Sequence, residues 1–180
     1  MTHAAEIVLT TDELREVTGF AAACAETVLG LFESARPADP RPREAIDAAW
    51  AFARGGRRGK ALRDTAWAAL RAAREADTAA AADAARAAVA AASAAYLHPL
   101  AEASQVKHVL GAAAHAARAA ALAAGDGEDV AADHLEQARR RATPVVVDVL
   151  GRYPGAPSGG GRVGQLLRDL DGALRGPGGP

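Results

Sequence analysis

The sequence contains a single cysteine, Cys24, among its 180 residues. This scarcity excludes an internal disulfide, and it excludes a zinc site built from cysteine ligands within one chain. Cys24 lies among alanines in a predicted helix, a position typical of a buried and unreactive thiol. The chain is therefore neither a disulfide-stabilised domain nor a cysteine-based zinc domain.

Aromatic residues and isoleucine are also scarce, since aromatics make up 4% of the chain and isoleucine occurs twice. Parallel strands need valine and isoleucine in quantity, so the composition disfavours an all-β fold and gives no support to a parallel α/β sheet. Alanine, by contrast, occurs 51 times, and it loses no side-chain entropy on entering a helix. We predict an all-α, single-domain bundle of about seven helices.

No sign of charge predominates, because 21 Lys and Arg meet 22 Asp and Glu for a net charge of −1. Nucleic-acid-binding proteins usually carry a basic excess, so neither nucleic acid nor an anionic membrane is an expected partner. No apolar run is long enough to cross a bilayer, and residues 1–9 lack the pattern of a secretory signal. We predict a soluble cytoplasmic protein without a cofactor, and the sequence leaves a homodimer open.

Helix-start signals divide the chain into segments. Thr10 and Glu13 form a capping box before the first helix, and Pro42 suits the first turn of the second. The valine run after Thr143 fits a short helix about as well as a strand, and a last short amphipathic helix follows a Pro/Gly/Ser loop. We assign residues 1–9 to an N-terminal arm, 10–174 to the helical bundle and 175–180 to a disordered tail.

The most informative stretch runs from Tyr96 to Arg118 and holds three of the five histidines. His108 and His115 are two helical turns apart, so they lie on one face with Gly111 between them. Two interpretations stay open: a polar pocket lined by imidazoles, or histidines at the edge of the core that are hydrogen-bonded locally. A metal is not expected, because seven residues span about 10.5 Å along a helix and zinc ligands usually lie one turn apart.

The segment from Arg54 to Lys60 is basic and glycine-rich, and it opens the third helix. It is not a Walker motif, because the spacing between Gly55 and Gly59 is too short and Ala61 stands where Ser or Thr is required. A basic loop at a helix N-terminus can attract anions. The favoured interpretation is a solvated connection whose arginines balance nearby acids.

Lys60, Asp64 and Trp67 lie on adjoining turns of the third helix. Asp64 precedes Trp67 by about one turn, which predicts partial burial of its carboxylate. Asp64 could pair with Lys60, the favoured alternative, or orient a histidine of the fifth helix in a general-base site. Trp50 and Trp67 are predicted to anchor the core. No serine lies in a nucleophile-elbow context.

Five stretches carry a family resemblance: TGFAAACAETVL, ARPADPRPREAIDAAWAFARGG, KALRDTAWAALRAAREA, YLHPLAEASQVKHVLGAAAHAARAA and RATPVVVDVLGRYP. Together they resemble the bacterial "putative immunity protein" family, which is common in actinobacteria. The resemblance covers about Asp12 to Leu174 and implies a helical domain that binds and neutralises a cognate toxin. Some members are labelled exonuclease-like, but no carboxylate cluster here suggests a metal-dependent nuclease. The positions that match the family's motifs are Lys60, Asp64, Trp67, His98, Pro99, Gln105, Lys107, His108 and His115.

Two functional hypotheses follow. The first is a non-enzymatic cytoplasmic binding protein of the immunity type, which acts by stoichiometric binding of its toxin. The second is a helical-bundle pocket for a small molecule, in a resistance protein that sequesters it or in a small enzyme of a specialised-metabolite pathway. In that pocket His108 and His115 serve as general acid and base or as hydrogen-bonding groups, Asp64 orients them, and Lys60 or Lys107 holds an anion. The candidate ligand-binding residues are Lys60, Asp64, Trp67, His98, Gln105, Lys107, His108 and His115.

Overall fold

The computed structural model describes residues 5–176, and over that range its regular structure is helical apart from one isolated β-bridge. The helices are α1 (Thr11–Ala35), α2 (Arg41–Ala53), α3 (Lys60–Glu75), α4 (Ala79–Ser93), α5 (Val106–Ala123), α6 (Glu128–Arg141), α7 (Pro144–Gly151) and α8 (Gly161–Arg175). The all-α prediction is confirmed, with eight helices in the described part instead of about seven, because the last amphipathic segment is a full helix. None of them is long and apolar enough to cross a membrane. Residues 177–180 of the predicted tail and residues 1–4 of the arm lie outside the described residues.

Threonine caps start three of the helices. Thr10 accepts a hydrogen bond from the Glu13 N–H (3.2 Å), and the Glu13 carboxylate accepts one from the Thr10 N–H (2.8 Å), which confirms the capping box. Thr78 and Thr143 cap α4 and α7 through the same kind of side-chain bond. The valine run after Thr143 is helical because this cap and Pro144 set the first turn of α7.

The alanine-rich helices α4 and α5 form the centre of the bundle. α4 packs against α1, α2, α3 and α5, and α5 also packs against α6 and α8. Most buried residues of these two helices are alanines, whose small side chains allow the helices to lie close together. Phe32, Ile46 and Leu150 add bulkier buried side chains from the surrounding helices.

Cys24 is buried in α1, with 2% of its surface exposed. Burial raises the pKa of its thiol to about 12, so the reactive thiolate is scarce at neutral pH. The predicted burial of Cys24 is confirmed.

A glycine-rich loop brings α8 back against α5. The glycines at 159–161 have φ between +59° and +86°, a left-handed region that other residues rarely adopt. On α8, the Arg168 guanidinium donates hydrogen bonds to the carbonyls of Pro157 (3.0 Å) and Gly159 (2.7 Å). A Cβ at Gly164 would lie only 2.0 Å from the Gly159 carbonyl oxygen. The loop and the first turns of α8 therefore form a closely packed wall beside α5.

Candidate functional site

A groove of about 630 Å³ runs between α4, α5 and the wall formed by the loop and α8. We call it the histidine groove, because His108 and His115 both line it. Its apolar surface includes Leu70, Val89, Ala90, Val163 and Leu167. Its polar side chains are Arg86, Ser93, Ser104, Lys107, His108, His115 and Ser158.

His115 is held by Asp83, an acid that no sequence motif predicts as its partner. Its Nδ1 lies 2.8 Å from Oδ1 of Asp83 on α4, and the Arg86 guanidinium approaches the same oxygen at 3.6 Å. Asp83 is buried, whereas His115 is partly exposed. A carboxylate on one ring nitrogen orients an imidazole and leaves the other nitrogen, here Nε2, for a ligand. Among residues 5–176, no group of three His, Cys, Asp or Glu side chains could hold a metal ion.

Asp64 does not orient a histidine, which was the less favoured of its two alternatives. Its side chain is 57% exposed on α3, and its carboxylate lies 2.8 Å from Lys60 Nζ. The pairing with Lys60 is confirmed, whereas the predictions of partial burial and of contact with a histidine are wrong. The physical reason is that α3 buries a different stripe, made of Leu62, Ala69, Ala72 and Ala73.

The signal for Asp83 is present in the sequence of α4, AAAADAARAAVAAAS, where Asp83 and Arg86 are the two charged residues. A helix without a polar face is buried on most of its circumference. A lone acid within it therefore needs a hydrogen-bond or charged partner on a neighbouring helix. This pattern could have identified Asp83 as buried and paired, but not His115 as the partner.

His108 lies two turns before His115 and is half-buried in the same groove. Burial lowers the pKa of its imidazole, and the charge of Lys107 adds to this effect. The ring is therefore neutral at pH 7. Both imidazoles thus line the groove, and His115 is also hydrogen-bonded to Asp83.

Gly111 lies between the two histidines and forms part of the groove surface. A Cβ added there would lie 3.6 Å from the Ala90 Cβ, an ordinary van der Waals contact. Close helix packing therefore does not require glycine at this position. Its missing side chain instead leaves room in the groove.

A second groove of about 270 Å³, the Trp67 groove, adjoins the first and shares Leu70, Val89 and Ser93 with it. Trp67 is 60% exposed, so the prediction that it anchors the core is wrong. It lies beside the buried stripe of α3 rather than on it. Trp50, the other predicted anchor, is partly buried and packs against the core.

Two arginines flank Tyr96 at the Trp67 groove. The guanidinium carbons of Arg58 and Arg63 each lie 5.7 Å from the centroid of the Tyr96 ring, within the range of cation–π attraction. Arg58 also donates a hydrogen bond to the Ala95 carbonyl (3.1 Å), and the Tyr96 hydroxyl donates one to the Gly59 carbonyl (2.9 Å). Arg58, which we expected to balance a nearby acid, is held by an aromatic ring and a carbonyl instead.

His98 and Gln105 hold the connection between α4 and α5. The His98 N–H donates a hydrogen bond to Gln105 Oε1 (3.0 Å), and the His98 carbonyl accepts one from the Tyr153 hydroxyl (2.7 Å). Both residues therefore shape the backbone that leads into α5. The structure brings the predicted residues Lys107, His108 and His115 to the histidine groove and Trp67 to its neighbour, and it leaves Lys60, Asp64, His98 and Gln105 outside both.

Comparison with known proteins places most of the chain in one family model. That model, described as "Imm-5 like putative immunity protein", matches residues 8–143. No curated protein and no solved structure matches the sequence. The matched region contains the whole Trp67 groove and the α4–α5 side of the histidine groove, whereas the wall made by the loop and α8 lies beyond it.

Proposed function

Since the chain belongs to the family of Imm-5 like putative immunity proteins, we propose that it binds a cognate protein toxin and neutralises it by stoichiometric occlusion. Binding takes place in the cytoplasm and involves neither a cofactor nor a covalent step. The family match supports the type of function, and the surface of the molecule suggests where the toxin binds.

The exposure of Trp67 is the observation that best supports this proposal. Full burial of a large apolar side chain is worth about 1.5–3 kcal/mol, and Trp67 leaves 60% of its surface in water. Trp, Tyr and Arg are the residue types that most often dominate the binding energy of protein interfaces. All three meet at the Trp67 groove, as Trp67, Tyr96 and Arg63.

The surroundings of the groove resemble the rim of an interface. Lys60 and Asp64 lie on the exposed side of α3 and pair with each other, and rim residues of interfaces are usually polar and solvent-accessible. We therefore place Trp67 at the centre of the toxin-binding surface and the Lys60–Asp64 pair at its edge.

Capture of the partner tests the proposal. Tagged wild-type protein is isolated from cells of its source organism and weighed by native mass spectrometry, beside Trp67→Ala and the control Val145→Ala, which alters an exposed valine on α7. We expect an equimolar complex with a second polypeptide for the wild type and the control. Trp67→Ala should bind this polypeptide at least about tenfold more weakly.

A growth assay then tests neutralisation. The captured polypeptide, expressed alone, should arrest growth, and co-expression of the wild type but not of Trp67→Ala should restore it. Both variants should unfold within about 0.5 kcal/mol of the wild type, since each changes an exposed residue. A captured polypeptide without toxicity would contradict the function, and equal capture by Trp67→Ala would contradict the assigned surface.

A further inference from the structure

We propose that the histidine groove is a binding site for a small organic anion, in which a carboxylate or a similar acid is attached to an apolar body. The volume of the groove, about 630 Å³, lies within the range of small-molecule sites. Its walls carry aliphatic side chains from three helices, among them Leu70 on α3, Val89 on α4 and Leu167 on α8. Such walls suit the apolar body of the ligand.

The charges around the groove select an anion. Arg86 and Lys107 line it, and none of the described residues that line it is an Asp or Glu, although the chain contains 22 acids. Asp83 lies close by, but its carboxylate is buried and is engaged by His115 at 2.8 Å and by Arg86 at 3.6 Å. The Lys107 ammonium is therefore the cation in the groove that Asp83 does not offset.

Hydrogen-bond donors accompany this charge. Ser158 lines the groove and can donate from its hydroxyl, whereas the Ser104 hydroxyl donates to Glu102 Oε2 (3.4 Å). His115 is engaged by Asp83 through Nδ1, so Nε2 is the ring nitrogen that remains for a ligand. The amino-terminal turn of α8 also borders the groove, and its dipole favours the same sign of ligand charge.

Octanoate and octanol form a matched pair of probes, because they share an alkyl chain and differ in the charged group. Each is titrated at pH 7 into the full-length protein, and binding is followed by heteronuclear NMR of the backbone amides. We expect saturable shifts centred on Gly111 and Val163. Octanoate should bind about fivefold more tightly than octanol, the ratio expected from one charge contact near water.

The two lysines of the chain supply a matched pair of variants. Lys107→Met should weaken octanoate binding about threefold and leave octanol binding unchanged, whereas Lys60→Met, on exposed α3, should change neither. Both lysines are exposed, so both variants should fold. Gly111→Leu should block both probes by filling the groove, with Gly111→Ala as its folding control.

Three outcomes would overturn the proposal. They are equal affinity for octanol and octanoate, equal effects of Lys107→Met and Lys60→Met, and shifts that do not saturate or that centre elsewhere. Toxin capture by these variants separates the two proposals. Lys107→Met should still capture the toxin, so a groove that binds no octanoate leaves the immunity function untouched, and loss of that function leaves the anion site testable.

Discussion

Two aspartates in adjoining helices occupy opposite environments. Asp64 in α3 is 57% exposed and pairs with Lys60, whereas the Asp83 side chain in α4 is 11% exposed and pairs with His115 across to α5. α3 has six charged residues out of 16 and a solvated face, whereas α4 has two charged residues out of 15. A charged side chain on an amphipathic helix is solvated on the exposed face. On a helix that is buried on most sides, a charged side chain needs a partner on a neighbouring helix to offset its desolvation.

Removing each aspartate in turn tests most directly whether the two contribute differently to stability. Asp83→Ala should lower the free energy of unfolding by about 2 kcal/mol, because it removes the carboxylate to which His115 and Arg86 are paired. Asp64→Ala should change it by less than about 0.5 kcal/mol, since an exposed pair contributes little. Urea unfolding at pH 7 measures the free energy of unfolding of both variants. Equal decreases for the two variants would contradict the conclusion that the Asp83 pair stabilises the fold more than the Asp64 pair.

The packing around Asp83 sharpens the comparison. Ala88 lies in the same helix and has no exposed surface, so Ala88→Leu should cost about 2 kcal/mol by overpacking the centre of the bundle. Ala51→Leu, at an exposed position of α2, is the control and should be nearly neutral. A well-tolerated Ala88→Leu would mean that the alanine helices are less closely packed than the structure shows.

Glu13 is an acid of intermediate exposure, at 20% of its side chain. A hydrogen bond from Arg152, together with one from the Thr10 N–H, lowers the pKa of Glu13 to about 2. The stabilisation that the Glu13 charge provides is therefore complete above about pH 4.5, the pKa in the unfolded chain. It is lost as the pH falls toward 2, the pKa in the folded protein. Glu13→Gln should cost about 1 kcal/mol at pH 7 and almost nothing near pH 2, as measured by urea unfolding across this range.

If the loss for Glu13→Gln is independent of pH, the capping geometry rather than the charge is responsible. Glu16→Gln is the matched control for this test. Glu16 lies in the same helix and accepts a hydrogen bond from Thr143.

Local signals predicted what is locally determined. The capping box at Thr10 depends on residues three positions apart, and the structure has it. Thr143 and Pro144 likewise set the first turn of α7, which resolves the choice between helix and strand that the valine run left open. The prediction that Trp67 is buried is wrong because the buried stripe of α3 consists of one leucine and three alanines. The largest apolar residue of this helix therefore does not mark its buried face.

The histidine groove depends on contacts between distant parts of the chain. Asp83 and His115 are 32 residues apart, and the wall opposite them comes from α8, more than forty residues further on. Helical periodicity puts His108 and His115 on one face but cannot say which helix lies across from it. The sequence therefore predicted the pair of histidines and not the acid or the wall that complete the groove.

The burial of Cys24 makes the native chain suitable for site-specific labelling. Its thiol is inaccessible, and its pKa of about 12 keeps it protonated in neutral buffer, so it reacts slowly with maleimides. A cysteine introduced at an exposed position that lines neither groove, such as Arg71→Cys next to Leu70 on α3, would be the one fast-reacting thiol. A fluorophore or spin label can therefore report on either groove without prior removal of the native cysteine.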